Sequence, residues 1–428
     1  MSGNATKTIL ENGLTVILKE MHHAPVACLM VWYRVGSRNE RPGITGISHW
    51  VEHLLFSGTP TFPGPECDRL ISREGGFWNA FTWLDYTAFF ETMPVDHIGL
   101  CLEIEADRMV NASMSGEEVE IERSIILSER AMYENDPRFL LNEELNSIAF
   151  RVHPYHHEVI GDEVDIRRLT REDLNSYYQR YYVPQNAVVV AVGDFESNKI
   201  LAQIRKDFGS IPGGERIIEE VRIEPAQRGE RRVMVHGPGD TPHLTVAYRA
   251  PAARHMDYLP LVLLNAIFTG GSSLGTFSGG GSNRSSRLYK ALVDKNLAVA
   301  VSGSLSPTID PFLYYVDVVA SHGADPGDIE EALDDVIIKL MVDTISQMEL
   351  DKALKRARAQ FVIAGESITG QAHLLGLAEM VADSYRWYES ILDRLALITL
   401  DDLDRVLKSY IKNTERCVGW YVPDLEQE

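Results

Sequence analysis

GITGISHWVEHLLFSG, residues 43–58, puts His49, Glu52, His53 and Phe56 at i, i+3, i+4 and i+7, one face of a helix, and Ile47, Val51, Leu54 and Leu55 on the opposite face. Thr45 or Ser48 suits the start of that helix as a cap, and Gly58 suits its stop. The apolar stripe would hold the helix down while two imidazoles and a carboxylate project together from the other side. Histidines one turn apart can bind one metal ion through their ring nitrogens. A carboxylate between them can take a proton from a water that the metal polarises. In a chain with 13 His and 62 Asp plus Glu, the same five-residue pattern also arises on a solvated helix face. A second helix that supplies a third ligand separates the two readings.

The 428 residues predict two or more domains with sizeable cores, and 45% hydrophobic with 24% charged residues is ordinary for a soluble globular chain. A net charge of −21 argues against nucleic acid or an anionic membrane as the main partner and mildly favours neutral or basic substrates. Cys28, Cys67, Cys101 and Cys417 are scattered without C-x-x-C spacing, which points to reduced, mostly buried thiols. The N-terminus MSGNATKTILENG has no apolar signal core, and no apolar run reaches 18 residues. The expectation is a cytoplasmic chain, with a periplasmic or organellar one left open if a targeting segment was removed.

Working outward, residues 7–20 read as a hairpin turning at Asn12-Gly13, and Pro25–Arg34 as a buried strand. GSRNERPG (36–43) is a linker into the histidine helix. Pro60–Pro65 reads as a loop and CDRLISREGG (67–76) as a helix stopped by Gly75-Gly76. FWNAFTWLDYTAFFETM (77–93) is an aromatic hairpin turning near Leu84-Asp85. Most of its aromatics belong to a core, but Asn79 could meet a peptide backbone, and an edge strand there could accept an extended peptide as an added strand. Residues 95–112 form an amphipathic helix, and Ser115 with Glu118 opens the next one as a capping box. On it Val119, Glu122, Ile125, Ile126, Glu129, Met132 and Tyr133 share one face. Buried carboxylates are expensive unless paired or metal-bound, so either the two glutamates have a function or the helix is rotated and exposes both.

The order H-x-x-E-H, followed by ERSIILSE with Glu129 76 residues beyond His53, resembles the pitrilysin-type inverzincins. Within them it is most similar to the half-length group that includes the mitochondrial processing peptidase subunits. The resemblance implies that His49, His53 and Glu129 bind zinc, that Glu52 is the general base, and that Glu122 orients a ligand histidine. GGFWNAFT resembles the family's substrate strand, which implies that Asn79, Ala80 and Phe81 contact the peptide. HPYHHEVIG (153–161) and LTREDLNSYYQRYYVPQNAVVVAVGDF (169–195) also follow the family pattern. His153, His156 and His157 are read as packing residues in a loop, and His22, His23 and His97 offer no ligand spacing.

GSIPGGERIIEEVRIEPAQRGERR (209–232) is a linker by composition. Beyond it, residues 246–271 echo 31–58 and residues 398–411 echo 169–182, without the His and Glu ligands. The expected fold is therefore α+β, two homologous α/β-sandwich domains from an internal duplication, each a mixed or antiparallel sheet with helices packed on it. The expected domains are 1–213 with the metal motif and 233–428 without it, joined by 214–232. The Gly-rich stretch 270–283 lacks the G-K-[ST] of a phosphate loop and resembles the substrate-handling loop of the processing-peptidase subunits.

Family members close a chamber with a second homologous half whose V-R-E-K-x-G-L-A-Y-like stretch gives an Arg and a Tyr to the substrate. Here the matching stretch Leu292–Val299 has Val293 and Val299 in those places, with Arg287 or Tyr289 as nearby substitutes. The resemblance thus implies a zinc endopeptidase acting on extended peptides as a heterodimer with a homologous subunit that carries the clamp. The reading from another class is a non-catalytic core subunit of a larger complex, in which the fold persists while the metal motif decays.

Overall fold

The computed structural model describes residues 4–215, 217, 222–271 and 284–424. The chain runs β1 (Thr6–Ile9), β2 (Thr15–Glu20), β3 (Val26–Tyr33), α1 (Ile47–Leu55), α2 (Gly64–Arg73), β4 (Phe77–Thr82), β5 (Thr87–Pro94), α3 (Ile98–Asn111), α4 (Gly116–Tyr133), α5 (Pro137–Ala149), α6 (Glu163–Arg168), α7 (Arg171–Tyr181), β6 (Ala187–Gly193) and α8 (Ser197–Phe208). It continues with β7 (Arg231–Gly237), β8 (His243–Ala250), α9 (Tyr258–Phe268), a π-helical turn at Tyr289–Val293, β9 (Ala298–Leu305), β10 (Phe312–Ala320), α10 (Pro326–Val342), α11 (Gln347–Ala364), α12 (Ile368–Ala382), α13 (Arg386–Glu389), α14 (Ile391–Ala396), α15 (Leu400–Tyr410) and β11 (Cys417–Pro423).

The strands form two mixed sheets, ordered β1-β2-β6-β3-β5-β4 and β7-β11-β8-β10-β9. In each, one pair is parallel (β2 with β6, β7 with β11) and the rest are antiparallel. The second order repeats the first from β2 onward, which is the architecture expected of a duplicated α+β unit. Local chemistry repeats too. Thr170 with Asp173 opens α7 and Thr399 with Asp402 opens α15, each as a reciprocal capping box. Gly58 after α1 and Gly270 after α9 both take positive φ, 86° and 83°.

Two compact units result, one of residues 1–130, 157–222 and 365–388, the other of 131–156, 223–364 and 389–428. Each is built on the sheet of one half of the sequence and takes a helical segment from the other half. In the first unit α12 packs on β3 and β6, while α3 packs on β3 and β5, and α1 on β4 and β5. Neighbouring residues of a strand face opposite ways. Trp32 of β3 therefore meets His373 of α12 with ring centroids 5.3 Å apart, while Tyr33 meets Tyr182 at 4.5 Å on the other face. With both faces covered, β3 and β6 are buried almost end to end, which is why they read as unbroken apolar runs. The buried Glu379 holds α12 in place through Lys7, Arg34 and the Tyr385 amide. In the second unit α5 packs on β7, β8 and β11, and its last carbonyls accept from Arg231 and Arg249.

A Cβ at Gly376 of α12 would lie 2.1 Å from the indole nitrogen of the fully buried Trp32. Gly376→Val should cost about 3 kcal/mol, the upper end of the overpacking range, because a two-ring side chain in a filled core cannot retreat. A urea midpoint equal to the parent's would show that the helix can slide.

All four cysteines are buried free thiols. The expected helix 95–112 begins as a 3-10 turn at Val95–His97 before α3, and α2 starts inside the expected loop, at Gly64.

Candidate active site

The site is assembled at α1, whose start is fixed by backbone contact. Gly46, at φ 84°, and Gly161, at φ 81°, touch so closely that a Cβ on either would lie 2.4 Å from backbone of the other strand of chain. That contact packs the end of HPYHHEVIG against the first turn of α1. The cap differs from expectation. Neither Thr45 nor Ser48 caps the helix; Gly46 occupies the cap position, and the Glu40 carboxylate accepts from the Gly46 and Ser48 amides at 2.8 and 2.9 Å. Thr45 instead donates its hydroxyl to Asp165, and the Ser48 and Tyr177 hydroxyls lie 2.8 Å apart. Ile47, Trp50, Val51, Leu54 and Leu55 are buried, so the opposite face is fixed.

On that face His49 Nε2 and His53 Nε2 lie 3.7 and 3.6 Å from one oxygen, Oε2 of Glu129. The donor atoms of these three residues all fall within 4.8 Å of one another, and no other such group occurs among the described residues. The separations exceed hydrogen-bond length. They approach the edge of a tetrahedron with metal–ligand arms of about 2.1 Å, roughly 3.4 Å. Two imidazoles and one carboxylate are also the donor chemistry of catalytic zinc sites. These residues therefore fit a zinc ion.

Burial, helped by the charge of His53, pushes His49 down to about 3, so its imidazole is neutral at physiological pH. Burial also acts to lower His53, but the hydrogen bond to Glu122 and the charges of Glu52, Glu122 and Glu129 raise it overall. The Nδ1 of His53 lies 3.1 Å from Glu122 Oε2, which assigns the proton to Nδ1 and aims Nε2 at Glu129. Burial raises Glu52 above the usual carboxylate range, with Glu129 adding to it, against the hydrogen bond from Thr82 and the charge of His53. Such a shift moves a carboxylate toward the range of a general base.

Helix α4 presents its glutamates differently from the stripe read in the sequence. Ser115 and Glu118 do form the capping box, with bonds of 3.2 and 2.7 Å. Val119 and Ile126 are buried and Glu122 and Glu129 half-buried, but Ile125 and Met132 are exposed. The inward face is completed by cations. The Arg123 guanidinium sits 4.7 Å over the Trp50 ring of α1, and Arg130 donates to the Gly161 carbonyl at 2.8 Å. Glu122→Ala should weaken zinc binding or activity about 10–100-fold while the fold persists, since it frees only the ring orientation of His53. Titration against a chromogenic chelator would check it, and unchanged affinity and turnover would remove Glu122 from that role.

Strand β4 is the edge of its sheet, as the peptide-addition reading requires. Thr82 faces α1, donating to Glu52 Oε2 at 2.7 Å, and Trp78 packs on Phe56 at 4.9 Å. Alternation turns Phe77, Asn79 and Phe81 to the other face, where the Phe81 ring lies 5.5 Å from each of Trp32 and His373. The side chains of Asn79 and Phe81 are thus not brought to the histidine cluster. Asn79 Oδ1 accepts from the Ala80 amide at 2.8 Å. The Trp83 amide donates to the Tyr86 carbonyl across the hairpin, so in the antiparallel register Trp78, Ala80 and Thr82 turn their backbone groups to the open edge. Glu40 and Thr82 escaped the sequence reading: the first lay in an apparent linker, and the second needed the strand's facing to be known.

His153 is buried beside Asp310 at 3.1 Å, and His157 is buried as well, in keeping with packing roles. Val299 is exposed on β9, and Arg287, the nearby substitute for the missing clamp, is held by Glu349 through bonds of 2.9 and 3.0 Å. Of the Gly-rich stretch 270–283, residues 272–283 lie outside the described residues. No helix among the described residues is long and apolar enough to cross a membrane.

Residues 15–163 match the family "Insulinase (Peptidase family M16)", and residues 168–357 match "Peptidase M16 inactive domain". Zinc protease PqqE of Helicobacter pylori is 30% identical over 97% of this chain and 92% of its own. An uncharacterized zinc protease of Mycobacterium tuberculosis is 28% identical over 94% of this chain and 90% of its own. A protease of Helicobacter pylori shares the structure with a TM-score of 0.92 at 28% identity, covering 99% of this chain and 100% of that one. At 19% identity, which speaks for the fold alone, 98% of this chain overlays 47% of the periplasmic protease PqqL of Escherichia coli with a TM-score of 0.77.

Proposed function

The chain belongs to the M16 (insulinase) peptidase family, and on that premise we propose that it is the zinc-bearing subunit of a metalloendopeptidase that cuts extended peptides. The observation that carries the proposal is the convergence of ligand atoms of His49, His53 and Glu129 within 4.8 Å, with Glu52 near enough to feel the charges of His53 and Glu129. Bound there, zinc would supply a Lewis acid that polarises a water and the scissile carbonyl. His49, neutral because buried, offers a lone pair, and Glu122 holds the ring of His53 in the same sense. Glu52 takes the proton of the attacking water and returns it to the leaving amine. The peptide adds as a strand to the open edge of β4, through the outward backbone groups of Trp78, Ala80 and Thr82, which suits unfolded segments.

The inactive-domain match spans 168–357 and contains none of these residues, so it does not favour the core-subunit reading. The same match fits a second half without metal ligands.

A homologous partner completes the proposal. Val293 and Val299 cannot donate a hydrogen bond to a carbonyl or to the oxyanion formed in attack, and Arg287 is engaged by Glu349. That this fold recurs as about half of a longer protease chain supports a two-half enzyme. Zinc-loaded chain alone should hydrolyse an unstructured peptide about 10²- to 10³-fold more slowly than its mixture with the homologous subunit that carries Arg and Tyr, the usual cost of a missing oxyanion donor. Full activity of the chain alone would sink the heterodimer. A purified chain without stoichiometric zinc would sink the enzyme.

A further inference from the structure

We propose that Thr82 is a positioning residue for Glu52, tying the general base to the strand on which the peptide is to lie. The inference rests on the reading of Glu52 as the base. Thr82 Oγ1 lies 2.7 Å from Glu52 Oε2, and among the described residues no other donor bonds that carboxylate. A hydroxyl has one proton. Thr87 spends its own on the Val35 carbonyl at 2.9 Å, and its oxygen stands 3.2 Å from Thr82, so the shorter contact to Glu52 takes the Thr82 proton. The terminal torsion of a glutamate is broad and does not fix its carboxylate. Thr82 supplies the missing constraint: one oxygen is held, and the other remains to exchange a proton.

The anchor also sits in a particular place. Thr82 belongs to β4, the sheet edge, and its own backbone groups turn to the open side. A peptide registered on that edge is thereby registered to the base through a single residue. Strand alternation decides this, since Phe81 and Trp83, one position away on either side, face elsewhere.

The experiment compares Thr82→Val, Thr82→Ala and Thr82→Ser with Glu52→Gln, in whichever form of the zinc-loaded protein, alone or with its partner, gives parent activity. Valine keeps the volume and favours the strand but lacks the hydroxyl. Thr82→Val and Thr82→Ala should lower kcat about 10- to 100-fold, as loss of an orienting bond does, with KM and zinc content unchanged. Thr82→Ser should restore most of that rate. In a crystal structure of Thr82→Val the Glu52 carboxylate should leave its place while His49, His53 and Glu129 keep theirs. An unmoved Glu52, a normal kcat, a loss confined to KM, or a zinc-depleted variant would each overturn the proposal. So would a serine variant as impaired as alanine, which remains decisive if valine fails to fold. If Glu52→Gln itself turns over normally, the reading of the base fails. If Glu52→Gln is dead and Thr82→Val is normal, only the positioning role fails.

Discussion

Glu52→Gln should retain one zinc per chain and lose peptide hydrolysis by about 10²- to 10⁴-fold, the usual worth of a positioned general base. The amide keeps the size of the carboxylate, and its oxygen can still accept from Thr82, which now bonds Glu52 Oε2 at 2.7 Å. What it cannot do is accept a proton from water. The three groups that fit the metal are other residues, so zinc content measured by mass spectrometry should match the parent. Stability supplies a second readout. Burial holds the Glu52 carboxyl above its ordinary range, so its folded-state affinity for protons exceeds that of the unfolded chain. Such a group stabilises at low pH and loses that contribution as pH rises through the folded value. In zinc-free protein at pH 7 the neutral amide should therefore leave the thermal midpoint unchanged or raised. Near-parent turnover would remove Glu52 from the base role, and a lowered midpoint would point to a folding defect.

The sequence made α1 legible because a helix has one period and its two faces carried opposite chemistry. The duplication was legible for a similar reason: the echoes at 246–271 and 398–411 preserve strand, helix and capping residues, and the sheets repeat their order. Contacts made by the backbone or across the sheet were harder to see. Glu40 caps α1 from six residues before its first cap, in a stretch whose Gly, Pro and charge read as linker. The rotation of α4 was hidden because apolar letters marked Ile125 and Met132 as inward, whereas Arg123 and Arg130 fill that side by stacking on an indole and bonding a carbonyl. Asn79 stays a candidate for contact with a peptide added to β4, but not for the histidine cluster. Its side chain lies on the far face from Glu52, a matter of strand parity that the position of a turn in the sequence leaves open by one residue. Membership of α5 and α12 in units built on the other half's sheet has no local signature, since an amphipathic helix does not specify which apolar face it will cover.

Glu129→Ala should leave a folded protein that no longer holds zinc under conditions that saturate the parent. Among the described residues, Glu129 is the carboxylate that joins both imidazoles in one cluster, with an oxygen at 3.7 and 3.6 Å. It comes from a different helix, and no other described residue brings a ligand atom into the cluster with the two imidazoles. Two histidines alone leave two coordination positions to water, and the expected loss is on the order of 10³-fold in affinity, beyond the 10–100-fold of residues that merely orient a ligand. The fold should persist because Glu129 is half-buried on α4, whose anchoring comes from Val119, Ile126, Arg123 and Arg130. Linkage makes the loss visible without activity. A ligand that binds only the native state stabilises it in proportion to the logarithm of its occupancy ratio, so a 10³-fold weaker site forfeits about 4 kcal/mol of zinc-dependent stabilisation. The parent's thermal midpoint should rise when zinc is added and the variant's should not, while the zinc-free midpoints agree. The comparison with Glu122→Ala is what separates the roles. If Glu129 is a ligand and Glu122 an orienting residue, the zinc-induced rise disappears in the first variant and is only reduced in the second. Equal losses would make the two carboxylates interchangeable, and a Glu129→Ala variant that binds zinc like the parent would place the third ligand elsewhere.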